Sequence, residues 1–288
     1  MTTPFQRVSV LGAGTMGHGI AHACAYAGLP TTLYDIEWSA VEAGFERIRA
    51  NLDKGVSLEK ITPENRDATL GRIDLTSELT YALEHVPMVI EAAPESIELK
   101  LNLYRLVEPQ VGEDTVFATN TSSLSITKLA ANLASPERFV GMHFFNPVHI
   151  MTLVEVVTGD RTSDETTQLA ADFARFIGKE PIVIRDSPGF ASSRLGIILG
   201  LEAIRMVESG VASPTDIDKA MMLGYRHPMG PLKLTDLVGL DVRLDIAQYL
   251  HRTLESEAFR PPALLKRMVS EGKLGKKSGE GFYSWEKA

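Results

Sequence analysis

Val8 to Gly17 reads VSVLGAGTMG, a short apolar, β-branched run that breaks into a glycine-rich turn. Small and apolar residues then continue at helical spacing to Gly28, so the local order is strand, turn, helix. In that context Gly12 permits the tight turn, Gly14 lets the backbone approach a pyrophosphate, and Gly17 lets the helix pack closely on the strand. Thr15 and Met16 complete the turn, and the helix N-terminus is left facing the phosphates. A second strand, Thr31 to Tyr34, ends in Asp35, which follows Gly12 by 23 positions. That is close to the ~20-residue offset at which a carboxylate meets the adenosine ribose hydroxyls. Glu37 comes next and no arginine is near, so a 2′-phosphate would be repelled and NAD is favoured over NADP. A ligand-free glycine packing turn is the competing reading, and it leaves Asp35 unexplained.

Further strand patterns follow at Met88 to Ala93, Thr115 to Thr119, Phe139 to Phe145, Leu153 to Val157 and Pro181 to Ile184. Helical patterns lie between them: Ala43 to Lys54, Pro63 to Leu70, a segment opened by Pro94-Glu95 and running to Val107, one beginning near Ser125, and Thr166 to Ile177. Past Arg185-Asp186-Ser187-Pro188-Gly189 strands stop, and Phe190 to Glu208, Ser213 to Met222, Pro231 to Leu250 and Pro262 to Gly272 read as helices. The expected fold is therefore α/β: a Rossmann-type, doubly wound, mainly parallel sheet over 1–186, then an all-α C-terminal domain over 187–288. In such sheets ligands bind beyond the carboxyl ends of the strands, so Asp35, Glu95 and Asn120 to Ser122 should line one crevice, with His143 near it. Ser122 has a second reading, as the cap of the helix near Ser125.

Two polar residues interrupt otherwise apolar strands in Val140 to Val157, VGMHFFNPVHIMTLVEVV. A carboxylate at Glu155 in a buried strand is costly unless something meets it, and His143 is the nearest candidate. One reading is a catalytic pair, with Glu155 orienting the imidazole so that His143 serves as general base. The other is a satisfied core histidine beside a half-exposed glutamate. The residues alone leave both open.

Composition narrows the classes. The net charge is −8 and no basic run exceeds Lys276-Lys277, which argues against a nucleic-acid partner. Cys24 is the only cysteine, so an intrachain disulfide and a cysteine-based metal site are excluded and a reducing, cytoplasmic setting fits. The apolar run from Val8 to Leu29 is interrupted by glycines and histidines and lacks a basic leader, so it reads as fold rather than as a targeting or membrane segment. His18 and His22 lie four apart on one helix but have no third ligand in view, so no metal is expected. Arg47, Arg49, Lys54 and Lys60 mark a charged helical excursion that reads as a solvated face or as a meeting place for an anionic ligand.

Several motifs then coincide in order: GAGTMGHGIA from Gly12, EAAPE from Glu91, NTSSLSIT from Asn120, GMHFFNPVHIMTLVEVV from Gly141, DSPGF from Asp186, HPMGPLKLTDLVGLD from His227 and GKKSGEGFY from Gly275. Together they resemble the 3-hydroxyacyl-CoA dehydrogenase family over nearly the whole chain, and its short monofunctional members most. The resemblance implies NAD-dependent oxidation of an L-3-hydroxyacyl-CoA to the 3-ketoacyl-CoA, or the reverse, by a homodimer joined through the helical domain. It also implies that His143 is the base, that Glu155 stabilises the imidazolium, that Ser122 bonds the substrate oxygen and that Asn146 positions substrate or cofactor. Asp35, Glu95 and Lys100 would hold NAD, while Lys54 would meet the CoA phosphates. One departure stands out: the family's substrate-contacting asparagine after PGF is replaced by Ser193. A relative of the gulonate dehydrogenase or lambda-crystallin type shares the glycine loop and HFFNP but acts on a sugar acid. A non-catalytic dinucleotide-binding protein is the third alternative. No hydratase segment is recognised, so neighbouring steps are expected on separate proteins.

Overall fold

The computed structural model describes residues 5–286. The chain divides into two compact units, the first running to Ser187 and the second starting at Pro188.

In the first unit the elements follow as β1 (Val8–Leu11), α1 (Gly17–Tyr26), β2 (Thr31–Tyr34), α2 (Trp38–Ser57), α3 (Pro63–Leu70), β3 (Ile73–Thr76), α4 (Leu79–Leu83) and β4 (Met88–Glu91). They continue as α5 (Ile97–Val107), β5 (Val116–Thr119), α6 (Ile126–Ala130), β6 (Phe139–Phe144), β7 (Leu153–Thr158), α7 (Asp164–Phe176) and β8 (Glu180–Arg185). The strands form one sheet in the order β3-β2-β1-β4-β5-β6-β7-β8. All pairs are parallel except β6 with β7. β1, β2, β4 and β5 are buried along their whole length, as strands covered by helices on both faces must be. That is the expected α/β sheet, and its order reverses between β1 and β4, the place where such sheets open a ligand crevice.

Local chemistry sets the helix starts. Ser96 accepts from the Leu99 N–H and Ser125 from the Lys128 N–H, each satisfying a donor that the first helical turn leaves over. The cap before α6 is therefore Ser125, which frees Ser122 from that role. β3 escapes the sequence pattern because it is an edge strand, with Asp74 exposed and only Ile73 and Thr76 buried.

The second unit contains α8 (Ser192–Glu208), α9 (Pro214–Gly224), α10 (Pro231–Val238), α11 (Leu240–Leu254) and α12 (Ala263–Ser270), around a core that includes Ile197, Leu201, Leu232, Leu250 and Leu265. The single helix expected over Pro231 to Leu250 is broken. Gly239 adopts φ 105°, outside helical space, so α10 ends there and α11 starts beyond it.

Candidate active site

The glycine turn does what its spacing demands. Gly12 has φ +107°, and a Cβ there would lie 2.6 Å from the Ala92 carbonyl oxygen, so no larger residue fits. Above Gly14 nothing approaches within 4 Å, which leaves open room where a phosphate group would sit. At the tip of β2 the Asp35 carboxylate accepts from the Ala13 N–H at 2.8 Å and the Glu37 N–H at 3.3 Å. These bonds hold it beside the loop with capacity left for ribose hydroxyls.

A crevice of about 720 Å³ opens at the carboxyl ends of β1, β4 and β5. Gly12, Gly14, Thr15, Met16, Asp35, Glu95, Asn120, Ser122 and His143 all line it. Ile36, Leu99 and Leu106 add an apolar wall suited to a flat base. A larger hollow of about 950 Å³ lies at the opposite ends of the strands, by Gln6, Pro87 and Thr115, away from these groups.

His143 and Glu155 face each other directly across the antiparallel β6–β7 pair. His143 Nδ1 lies 2.7 Å from Glu155 Oε2, with the glutamate fully buried. Proton donation from Nδ1 to that carboxylate makes Nε2 the basic nitrogen of the neutral ring. The ring packs against Phe145 at 4.4 Å between centroids. Asn120 Oδ1 accepts from the Phe144 N–H at 3.1 Å and so ties the end of β5 to the strand that carries the histidine.

Glu95 organises the neighbouring turn. One of its oxygens accepts from the Thr121 hydroxyl at 2.6 Å, from the Ser122 N–H at 3.0 Å and from the Ser122 hydroxyl at 3.3 Å. Ser122 itself is exposed at the mouth of the crevice.

Four assigned residues sit elsewhere. Lys100, expected to touch the dinucleotide, is wholly buried; its ammonium binds both oxygens of Glu91, at 2.6 and 2.9 Å, and the Asn120 carbonyl at 3.1 Å. These bonds place it behind the crevice wall. Tyr104 and Thr119 also donate to Glu91, at 2.8 and 2.6 Å, forming a closed polar network that no spacing along the chain foretells. Asn146 is exposed on the turn after β6 and is not among the crevice-lining residues. Lys54 is exposed in the last turn of α2. Ser193 belongs to the second unit, in the first turn of α8.

His22 stacks on His149 with centroids 5.2 Å apart, and burial pushes its pKa down to about 4. The ring is neutral at ordinary pH and serves packing. Among the described residues no group of three or more His, Cys, Asp or Glu side chains is placed to hold a metal, and no helix is long and apolar enough to cross a membrane.

Comparison with known proteins returns a consistent set. The family model described as "3-hydroxyacyl-CoA dehydrogenase, NAD binding domain" matches residues 7–187, and that of the "3-hydroxyacyl-CoA dehydrogenase, C-terminal domain" matches 189–285. The chain is 42% identical over 281 residues to a probable 3-hydroxybutyryl-CoA dehydrogenase of Bacillus subtilis (strain 168), covering 98% of each. It is similar, at 42% over 287 residues, to a 3-hydroxybutyryl-CoA dehydrogenase of Mycobacterium tuberculosis (strain CDC 1551 / Oshkosh), covering 99% of this chain and all of the relative. The crystal structure of an (S)-3-hydroxybutyryl-CoA dehydrogenase from Ralstonia eutropha superposes with a TM-score of 0.94 at 41% identity, over 98% of this chain and 100% of that one.

Proposed function

The chain belongs to the 3-hydroxyacyl-CoA dehydrogenase family, and from that membership we propose which of its residues perform the family's reaction. It is an NAD-dependent oxidoreductase that converts a 3-hydroxyacyl-CoA to the 3-ketoacyl-CoA and back. Bound NAD supplies the acceptor for the hydride that leaves C3. His143 takes the hydroxyl proton on Nε2 as the carbonyl forms, and Glu155, already hydrogen-bonded to Nδ1, stabilises the resulting imidazolium. In the reverse direction the same imidazolium returns the proton.

The other residues position the reactants. Ser122 hydrogen-bonds the substrate oxygen, its orientation set by Glu95. Gly12, Gly14, Thr15 and Met16 take the pyrophosphate, Gly17 lets α1 pack against the turn so that its N-terminus faces it, Asp35 takes the ribose, and Glu95, with Asn120 behind it, shapes the nicotinamide end of the crevice. Lys100 keeps that end in place through Glu91. Asn146, Lys54 and Ser193 are assigned to substrate contacts by family resemblance. Residues 1–186 are assigned to NAD and 187–288 to substrate and to a homodimer; the exposed Leu195, Val211, Leu223 and Tyr225 support the second role. A cytoplasmic location accords with the single thiol, Cys24, which burial pushes up to about 12 and so holds unreactive.

The observation that carries the assignment is the buried His143–Glu155 pair opening on an NAD crevice. Its substrate is tested by NADH formation from 3-hydroxybutyryl-CoA and from L-gulonate under the same conditions. The thioester is expected to give the higher kcat/KM by about a hundredfold or more, since a site built for CoA leaves its polar groups unpaired on a small sugar acid. A preference for gulonate would overturn the assignment.

A further inference from the structure

Lys179 is a buried cation that, among the described residues, meets no acid. Only 9% of it is exposed, and its ammonium donates to two main-chain carbonyls, that of Val148 and, at 2.9 Å, that of Met151. Burial pushes its pKa down, and no carboxylate acts against that shift. Lys100, by contrast, is answered by the buried Glu91. An ammonium taken out of water and given only neutral acceptors is a costly filling for a core position, and an apolar side chain of similar volume would serve stability as well. The charge therefore calls for a role other than stability.

Both carbonyls belong to one connection. Residues 145–152 join β6 to β7, with Val148 five positions after His143 and Met151 four positions before Glu155. The ammonium thus braces the arm leading away from His143 against the arm leading into Glu155. Within the turn, the N–H groups of Ile150 and Met151 both donate to the Pro147 carbonyl, at 3.0 and 2.9 Å. The turn also rests on α1. Val148 is buried, and a Cβ at Gly19 would come within 3.0 Å of its side chain, while His149 stacks on His22. The residue after Lys179 is fastened to the same connection, its Glu180 N–H donating to the Thr152 carbonyl at 2.8 Å.

His143 and Glu155 face each other because β6 and β7 keep one register, and in a hairpin the connection fixes that register. Bracing the connection therefore maintains the 2.7 Å contact between the two side chains.

We propose that Lys179 is a positioning residue for the reaction: by bridging Val148 and Met151 it holds the β6–β7 connection in the shape that presents the His143–Glu155 pair to substrate. The proposal rests on the base-and-acid reading given above and extends it to a residue that does not line the crevice.

The test measures kcat on 3-hydroxybutyryl-CoA and NADH affinity in the full chain for Lys179→Met, Lys179→Arg, His143→Gln and the double variant Lys179→Met with His143→Gln. Lys179→Met is expected to lose about 10²-fold in kcat, the cost of misplacing a reacting group by about 1 Å, with NADH affinity within about twofold of wild type. Lys179→Arg keeps a charged donor for both carbonyls and should retain more kcat than the methionine variant. The double variant should be no slower than His143→Gln alone, because a residue that acts through the base then has nothing left to position. Losses that multiply overturn the proposal, as does a methionine variant whose kcat is within about twofold of wild type or at least equal to that of the arginine variant. Loss of NADH binding in Lys179→Met overturns it too, since the lysine would then hold up the fold and not the pair. Full activity in His143→Gln is a separate failure: it removes the base itself, and the positioning role with it.

Discussion

His143→Gln is expected to lower kcat for NAD reduction by 3-hydroxybutyryl-CoA by about 10³-fold while leaving the affinity for NAD within about twofold of wild type. Glutamine roughly preserves the size of the side chain and its hydrogen-bonding capacity, but it cannot accept the hydroxyl proton. The alcohol would then have to lose hydride without a base, against the barrier that proton transfer removes. The proposed dinucleotide contacts stand on other elements, on the glycine turn after β1 and on Asp35 at the end of β2, so they should survive. Stopped-flow turnover and a fluorescence titration with NADH separate the two effects. Retention of more than a tenth of wild-type kcat would remove His143 from its role as base.

Lys100→Met is expected to be the most destabilising of the conservative substitutions near the site, by about 3–5 kcal/mol. The Glu91 carboxylate is fully buried and receives the Lys100 ammonium, the Tyr104 and Thr119 hydroxyls and the Ala93 N–H. Removing the only cation leaves a desolvated anion whose remaining donors are neutral. Urea unfolding followed by far-UV circular dichroism measures the loss. A cost below about 1 kcal/mol, the scale of an exposed ion pair, would contradict it. Glu91→Gln in the same chain should recover part of the loss, because the unpaired charge is then gone. The NAD affinity of Lys100→Met is expected to weaken as well, since the ammonium also holds the Asn120 carbonyl at the crevice wall.

What could be read in the sequence was local. The turn from Gly12 to Gly17 and the acid at Asp35 are fixed by backbone geometry over short spans, and the structure places both on the same crevice. His143 and Glu155 were harder, because their meeting depends on an antiparallel register that no spacing rule supplies. Twelve residues apart, they could have pointed to opposite faces had the register slipped by one. The Glu91 network was illegible for the same reason: its members come from β4, α5 and β5, and only their packing brings them together. The burial of Lys100 is not legible in the sequence, because an exposed cation and a buried one look alike in a helical pattern. Gly239 lies inside a long helical pattern, where its positive φ, and not its neighbours, ends the helix.

The function of the dyad is tested most directly by measuring kcat for His143→Gln, Glu155→Gln and the double variant on 3-hydroxybutyryl-CoA and NAD. If Glu155 acts only through the imidazole that it holds at 2.7 Å, the single Glu155 variant loses about 10²-fold and the double variant is no slower than His143→Gln alone. Losses that multiply in the double variant would show that Glu155 works independently of His143 and would contradict the base-and-orienting-acid pair.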